Sequence, residues 1–107
     1  MEHNTNTLCI TFAILSVIKM AEDECILTLR KRYAPERYHH DMDLWYEELA
    51  IGYINEVWSQ NNVVSNEGQE LTWGEQADVW NNLIRIVVET LRARVATIDL
   101  MNAVAKI

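Results

Sequence analysis

Residues 72–105 read TWGEQADVWNNLIRIVVETLRARVATIDLMNAVA. Thr72-Trp73-Gly74-Glu75 has the spacing of a capping box, in which the Thr72 hydroxyl takes the amide of Glu75 and the Glu75 carboxylate reaches back. Behind it Ala77, Trp80, Ile84, Val87, Leu91, Val95, Ile98, Met101 and Ala105 recur at steps of three and four. Such steps put one apolar stripe on a helix. The stretch predicts a long C-terminal helix of about 30 residues, with Thr97-Ile98-Asp99 as the place for a bend.

Upstream, residues 59–71 (SQNNVVSNEGQEL) are dense in Asn, Ser and Gly and read as the one clear loop. Before that loop, Asp41 or Asp43 caps an amphipathic stretch running to about Gln60. Leu44, Trp45, Leu49, Gly52, Tyr53 and Val57 form one broad face, widened by Ile51, Ile54 and Trp58. A helix apolar over more than half its circumference needs more than one neighbour. Pro35 ends whatever precedes it and suits the first position of a new element.

The N-terminal third supports two readings. Ile14, Ile18, Ala21, Cys25 and Leu29 mark a helical stripe, widened by Leu8, Phe12 and Leu15, and Arg30-Lys31-Arg32 suits the last turn. Alternation over residues 8–14 and the strand-forming Cys25–Leu29 segment instead suggest a β-hairpin turning at residues 21–24. That turn lacks Gly and Asn, so helix is the stronger reading. The expectation is an all-α single domain over residues 1–107. It is a small bundle of three helices, or four if the first breaks at Glu22–Glu24. An N-terminal β-hairpin in an α+β fold is the alternative.

Composition agrees. In 107 residues there are only three Gly and one Pro against 50% hydrophobic residues, which disfavours a turn-rich sandwich and intrinsic disorder alike. The uncharged stretch at residues 4–18 is shorter than the roughly 20 apolar residues of a spanning helix. It also lacks the basic start of a signal peptide. Cys9 and Cys25, 16 positions apart, sit beyond disulfide reach in either reading of the region. Two buried thiols and a cytoplasmic location are therefore expected.

The charge is unevenly laid out. Of 16 acidic and 9 basic residues, for a net charge of −7, residues 41–78 hold nine acids and no Lys or Arg. Residues 1–40 are neutral overall, and residues 79–107 are slightly basic. The acidic segment also carries Trp45, Tyr46, Tyr53, Trp58 and Trp73. Aromatic anchors in a field of one sign suit a surface that steers and holds a basic partner. The candidate partner-binding residues are Asp41, Asp43, Tyr46, Glu47, Glu48, Glu56, Glu67 and Glu70. Acids at helix N-termini also need no partner to explain them, because the helix dipole favours them there. Glu56, Glu67 and Glu70 are the ones capping leaves unexplained.

Chemistry-bearing patterns are sparse. Glu36 and His39 have the Glu-x-x-His spacing of di-iron carboxylate bundles, but such a site needs a second copy, and none exists. His39-His40-Asp41 does not amount to a dedicated metal site. No Ser or Cys is positioned against a His and an acid, and no Gly-rich phosphate loop occurs. Arg30-Lys31-Arg32 with Tyr33 and Arg37 is the only basic cluster in a chain of pI near 4.8. Direct nucleic-acid binding is therefore not expected. Neither is an enzymatic activity, a cofactor or a membrane partner.

Small size, acidic character and absent chemistry point to a protein that works by occupying another protein. In format the chain resembles phage- and mobile-element-encoded inhibitors of bacterial defence, anti-CRISPR and anti-restriction proteins among them. That resemblance rests on size and charge, covers no motif and transfers no residues. It implies an inhibitor blocking a basic, nucleic-acid-binding surface of a larger complex. The alternative is a homo-oligomeric assembly or regulatory subunit. Its dimer seam would run along Trp80, Ile84, Val87, Leu91, Ile98 and Met101, with Arg94 as an interruption.

Overall fold

A computed structural model describes residues 6–31 and 42–107, apart from the side chains of residues 27, 30 and 31. In chain order the elements are β1 (Asn6–Cys9), α1 (Ile10–Asp23), α2 (Ile26–Lys31), α3 (Met42–Gln60), β2 (Asn61–Val64) and α4 (Trp73–Val104). The described residues are mostly helical, with one small sheet. Helices α1, α3 and α4 pack against one another around a single core.

Helix α4 runs for 32 residues without interruption. Its capping box forms as the sequence predicts: the Glu75 amide donates to Thr72 Oγ1 at 3.1 Å, and the Thr72 amide donates to Glu75 Oε1 at 2.8 Å. Leu83, Val87, Val88 and Leu91 are its buried residues. Helix α3 contacts α1, α4 and β2, which answers to its broad apolar face. Its inward side is Tyr46, Ala50, Tyr53, Ile54 and Val57, whereas Leu44, Ile51 and Gly52 point outward. Asp43 lies inside the first turn rather than at the cap, and Asp41 and Pro35 fall outside the described residues.

The N-terminal third combines parts of both readings. A strand does form, but β1 pairs in parallel with β2, Asn6 beside Asn61 through Cys9 beside Val64. No hairpin joins it to Cys25–Leu29, which lies partly in α2. Parallel neighbours need a long crossover, and here α1 to α3 supply it. The sequence 59–71 is accordingly not all loop, since residues 61–64 are strand. Val63 and Val64 in that stretch are β-branched, which suits the ladder.

The first helix breaks at the point the four-helix variant gave, after Asp23, with Glu24 extended. No Gly or Pro causes the break. Tertiary bonds make it tolerable: Arg94 Nη1 donates to the Ala21 carbonyl at 2.8 Å, and Tyr53 Oη donates to Glu24 Oε1 at 2.6 Å. The first bond supplies an orphan carbonyl at a helix end with a cationic donor. The deepest line of α1 is Ala13, Val17 and Ala21, all fully buried, while Phe12 and Leu15 are exposed. Small residues face inward because α1 is wedged between α3 and α4.

Candidate functional site

The acidic residues separate into two groups. At the start of α3, Asp43 pairs with Arg92 across the α3–α4 interface. That guanidinium, by its hydrogen bond before its charge, holds the Asp43 carboxyl below the usual Asp range. Glu47 lines the same shallow recess, together with Arg85 and Arg92. Here positive and negative charge are interleaved, so the bare acidic surface expected of Asp43 and Glu47 is not present. Glu48 is exposed one residue on.

The second group sits at the opposite end, around residues 65–72 and the first turns of α4. This loop is built rather than slack. The Ser65 hydroxyl accepts from the amides of Glu67, at 3.3 Å, and Gln69, at 3.0 Å. The Ser65 amide donates to the Gln69 carbonyl at 2.7 Å. Gly68 takes φ 83°, a left-handed conformation that disfavours a side chain. Asn66 Oδ1 accepts from the Thr11 amide at 3.2 Å and so supplies α1 with the cap its own Cys9 side chain does not give. Glu70 bridges back to Val64.

This fixed turn displays Glu67 and Glu70 outward, both exposed. Glu67, Glu75 and Asp78 converge on one recess of about 430 Å3, whose other walls include Ile10, Leu71 and Val79. Hydrogen bonds from Thr72, the backbone amide first, keep the Glu75 carboxyl below the usual Glu range. Among the described residues no Lys or Arg lines this recess. A second, apolar groove of about 270 Å3 lies on α4 between Trp73, Gln76, Ala77, Trp80 and Asn81. Trp73 is 87% exposed. Trp80 beside it is anchored edge-on against Trp58, with centroids 5.8 Å apart at 76°.

The remaining candidates fall as follows. Tyr46 is 4% exposed and belongs to the core, so it is not available as a partner anchor. It faces inward because it lies on the side of α3 shared with Ala50, Tyr53, Ile54 and Val57. Glu56 is exposed on α3, outside both groups. Of the proposed dimer seam, Val87 and Leu91 are fully buried within the monomer and cannot form it. Trp80 and Ile84 are half-buried against the same core, and Ile98 is half-buried. Met101 alone is exposed. From Trp80 to Leu91 this stripe is the helix's own core face.

The cysteines form no disulfide, Cys9 being half-buried and Cys25 exposed rather than both buried. Glu36, His39, His40 and Asp41, and the cluster of Arg32, Tyr33 and Arg37, lie outside the described residues. Among the described residues no group of His, Cys, Asp and Glu is arranged to hold a metal. Nor is any helix there long and apolar enough to cross a membrane.

Sequence reasoning counted Trp73 among the aromatics of the acidic segment but left it out of the candidate partner-binding residues. Its position inside the capping box was the available signal, because a side chain in the first turn can project past the end of the bundle. No family model, curated protein or solved structure matches the chain.

Proposed function

We propose that the chain is a small interaction domain. It engages a basic, nucleic-acid-binding surface of a larger protein and inhibits by occupying that surface, in the manner of phage-encoded anti-defence proteins. The observation that carries this reading is Trp73, 87% exposed in the first turn of α4, with Glu67, Glu75 and Asp78 lining a recess on another face of the same turns. Water-exposed tryptophan is unfavourable unless something covers it, and aromatic residues dominate binding hot spots. The carboxylates at this end of the molecule steer a cationic surface toward it, and the ring supplies the apolar contact. The contacting set thus shifts from the whole of residues 41–78 to the loop end. Both Asp43 and Glu47 drop out, since arginines already accompany them.

The test begins with capture of a partner by the tagged chain from its native host. Binding rates are then measured over a range of salt. Changing Glu67 and Glu70 to Gln should slow association and flatten its salt dependence, because rim charges act mainly on the on-rate. Changing Glu47 and Glu48 to Gln should do neither. Equal effects of the two pairs would mean that net charge alone matters, and the loop end would lose its role.

A further inference from the structure

The joint between α1 and α2 runs against its local sequence. From Thr7 to Ala34 there is no Gly, Pro or Asn to stop a helix. Helix α1 nevertheless ends at Asp23, Glu24 is extended at φ −59° and ψ 136°, and α2 starts at Ile26. The charges are also placed for a longer helix. Glu22, Asp23 and Glu24 stand at the C-terminal end of α1, the negative pole of its dipole, with no basic residue in the last turn. In a single helix over residues 10–31 the same acids would lie inside it. Arg30 and Lys31 would then fall in the last turn, where cations are favoured.

The hydrogen bonds show what holds the break. A continuous helix pairs the Cys25 amide with the Ala21 carbonyl, four residues back. Here that pair is split, and each half has a substitute. The Ala21 carbonyl accepts from Arg94 Nη1 at 2.8 Å, and the Cys25 amide donates to Glu24 Oε2 at 3.1 Å. The other oxygen of that carboxylate, Oε1, accepts from the Tyr53 hydroxyl at 2.6 Å. Glu24 is thus clamped between its own neighbour and α3, while Ala21 is tied to α4. A third hold is Leu29, fully buried where α2 lies against α4. Packing at the joint is incomplete. A recess of about 530 Å3 opens between Glu22 and Ile26 on one side and Thr90, Arg94 and Ile98 on the other.

We infer that the joint is a latch: residues 10–31 form either the bent pair α1–α2 or one straight helix, and Arg94, Tyr53 and Leu29 select the bent form. Local sequence favours one state and tertiary contacts favour the other, a conflict that makes an element bistable. Straightening restores the bond from Cys25 to Ala21 and brings residues 26–31 into line with α1. It carries Ile26 and Leu29 off α4 and uncovers the flank of that helix at Thr90 and Arg94.

Backbone Cα secondary shifts and amide–amide NOEs of the full chain read the two states residue by residue. In the wild type the NOE series should break at Glu24. Glu24→Ala combined with Arg94→Met should turn the shifts at positions 24 and 25 helical and carry the NOE series through residue 28. Amide exchange at Cys25 and Ile26 should slow several-fold, and adding Leu29→Ala should complete the change. Each single substitution should give part of it, so the result stands even where the combined variant fails to fold. Glu22→Ala removes an acid from the same helix end without touching these bonds, and should leave Glu24 extended. A joint that moves to coil shifts in the variants overturns the inference, as does one that keeps the wild-type pattern. So does straightening by Glu22→Ala equal to that of the double variant. None of these readouts involves Glu67, Glu70 or Trp73, so this proposal and the acidic one stand or fall separately.

Discussion

The two ends of α4 make opposite use of the same helix. Its first turns are pinned: a capping box closes the N-terminus, Trp80 packs on Trp58, and the preceding loop is tied through Ser65 and Asn66 to itself and to α1. There the exposed groups are acidic, with one large aromatic among them. Its last turns leave the body, lose their packing, and expose aliphatic side chains with few charges. A rigid charged end suits recognition of a foreign surface, where ordering costs are already met before binding. Between them lies the core that holds both in place.

The comparison breaks first if the middle does not carry the stability. Leu91 is fully buried, and replacing it with Ala should cost about 2–5 kcal/mol. Leu100→Ala, two to three turns further on, should stay within about 0.5 kcal/mol in dilute monomer. Denaturant melts of the two variants measure the contrast. Similar losses would show that the distal turns are part of the core after all.

A smaller effect comes from the joint that seats α1 against α3. Burial, then the hydrogen bond and charge of Glu24, raise the Tyr53 hydroxyl well above its usual value of 10.0. The folded state therefore favours the neutral phenol. Its stabilisation is complete below the unfolded value and is lost as pH climbs past about 10. Thermal melts should be level through neutral pH and fall above about pH 10. Tyr53→Phe should cost about 1 kcal/mol at pH 7 and blunt that alkaline fall.

Smaller still are the pins at the acidic end. Thr72→Ala should cost about 1 kcal/mol by removing the cap, and Gly68→Ala a similar amount through the left-handed backbone it occupies. Both changes should raise amide exchange at residues 65–76 and leave residues 96–107 untouched. Exchange that rises equally at both ends would mean the loop end is not separately built. At acid pH the pins weaken too. The Glu75 carboxyl titrates below its usual value, so its contribution is present above the ordinary carboxylate range and is lost as pH falls through its lowered value.

Much of this architecture is legible in the residues. The capping box and the three-and-four spacing give α4, and the Asp-rich start and broad apolar face give α3. What the residues conceal follows from tertiary contacts. Nothing local stops α1 at Asp23, because the stop is maintained by Arg94 and Tyr53, more than 25 residues away in sequence. Arg94 stands on an apolar stripe and looks like an interruption, yet it is the donor that closes α1. The parallel pairing of residues 6–9 with 61–64 is likewise invisible to period counting, which sees one segment at a time. Segment charge identified the acidic third but not its division. Arg85 and Arg92, which neutralise the α3 end, come from another helix. Tyr46 and Trp73 were interchangeable as sequence aromatics; packing alone sends one inside and leaves the other out.

The central claim is that the loop end, rather than acidity in general, receives a basic surface. Amide chemical shifts recorded while a Lys- and Arg-rich peptide is titrated in, at low and at physiological salt, test it most directly. The account predicts saturable shifts confined to residues 65–80, accompanied by a change in the Trp73 indole signal and weakened by salt. Shifts centred on Asp43 and Glu47, or spread over every acidic residue without saturation, would contradict it.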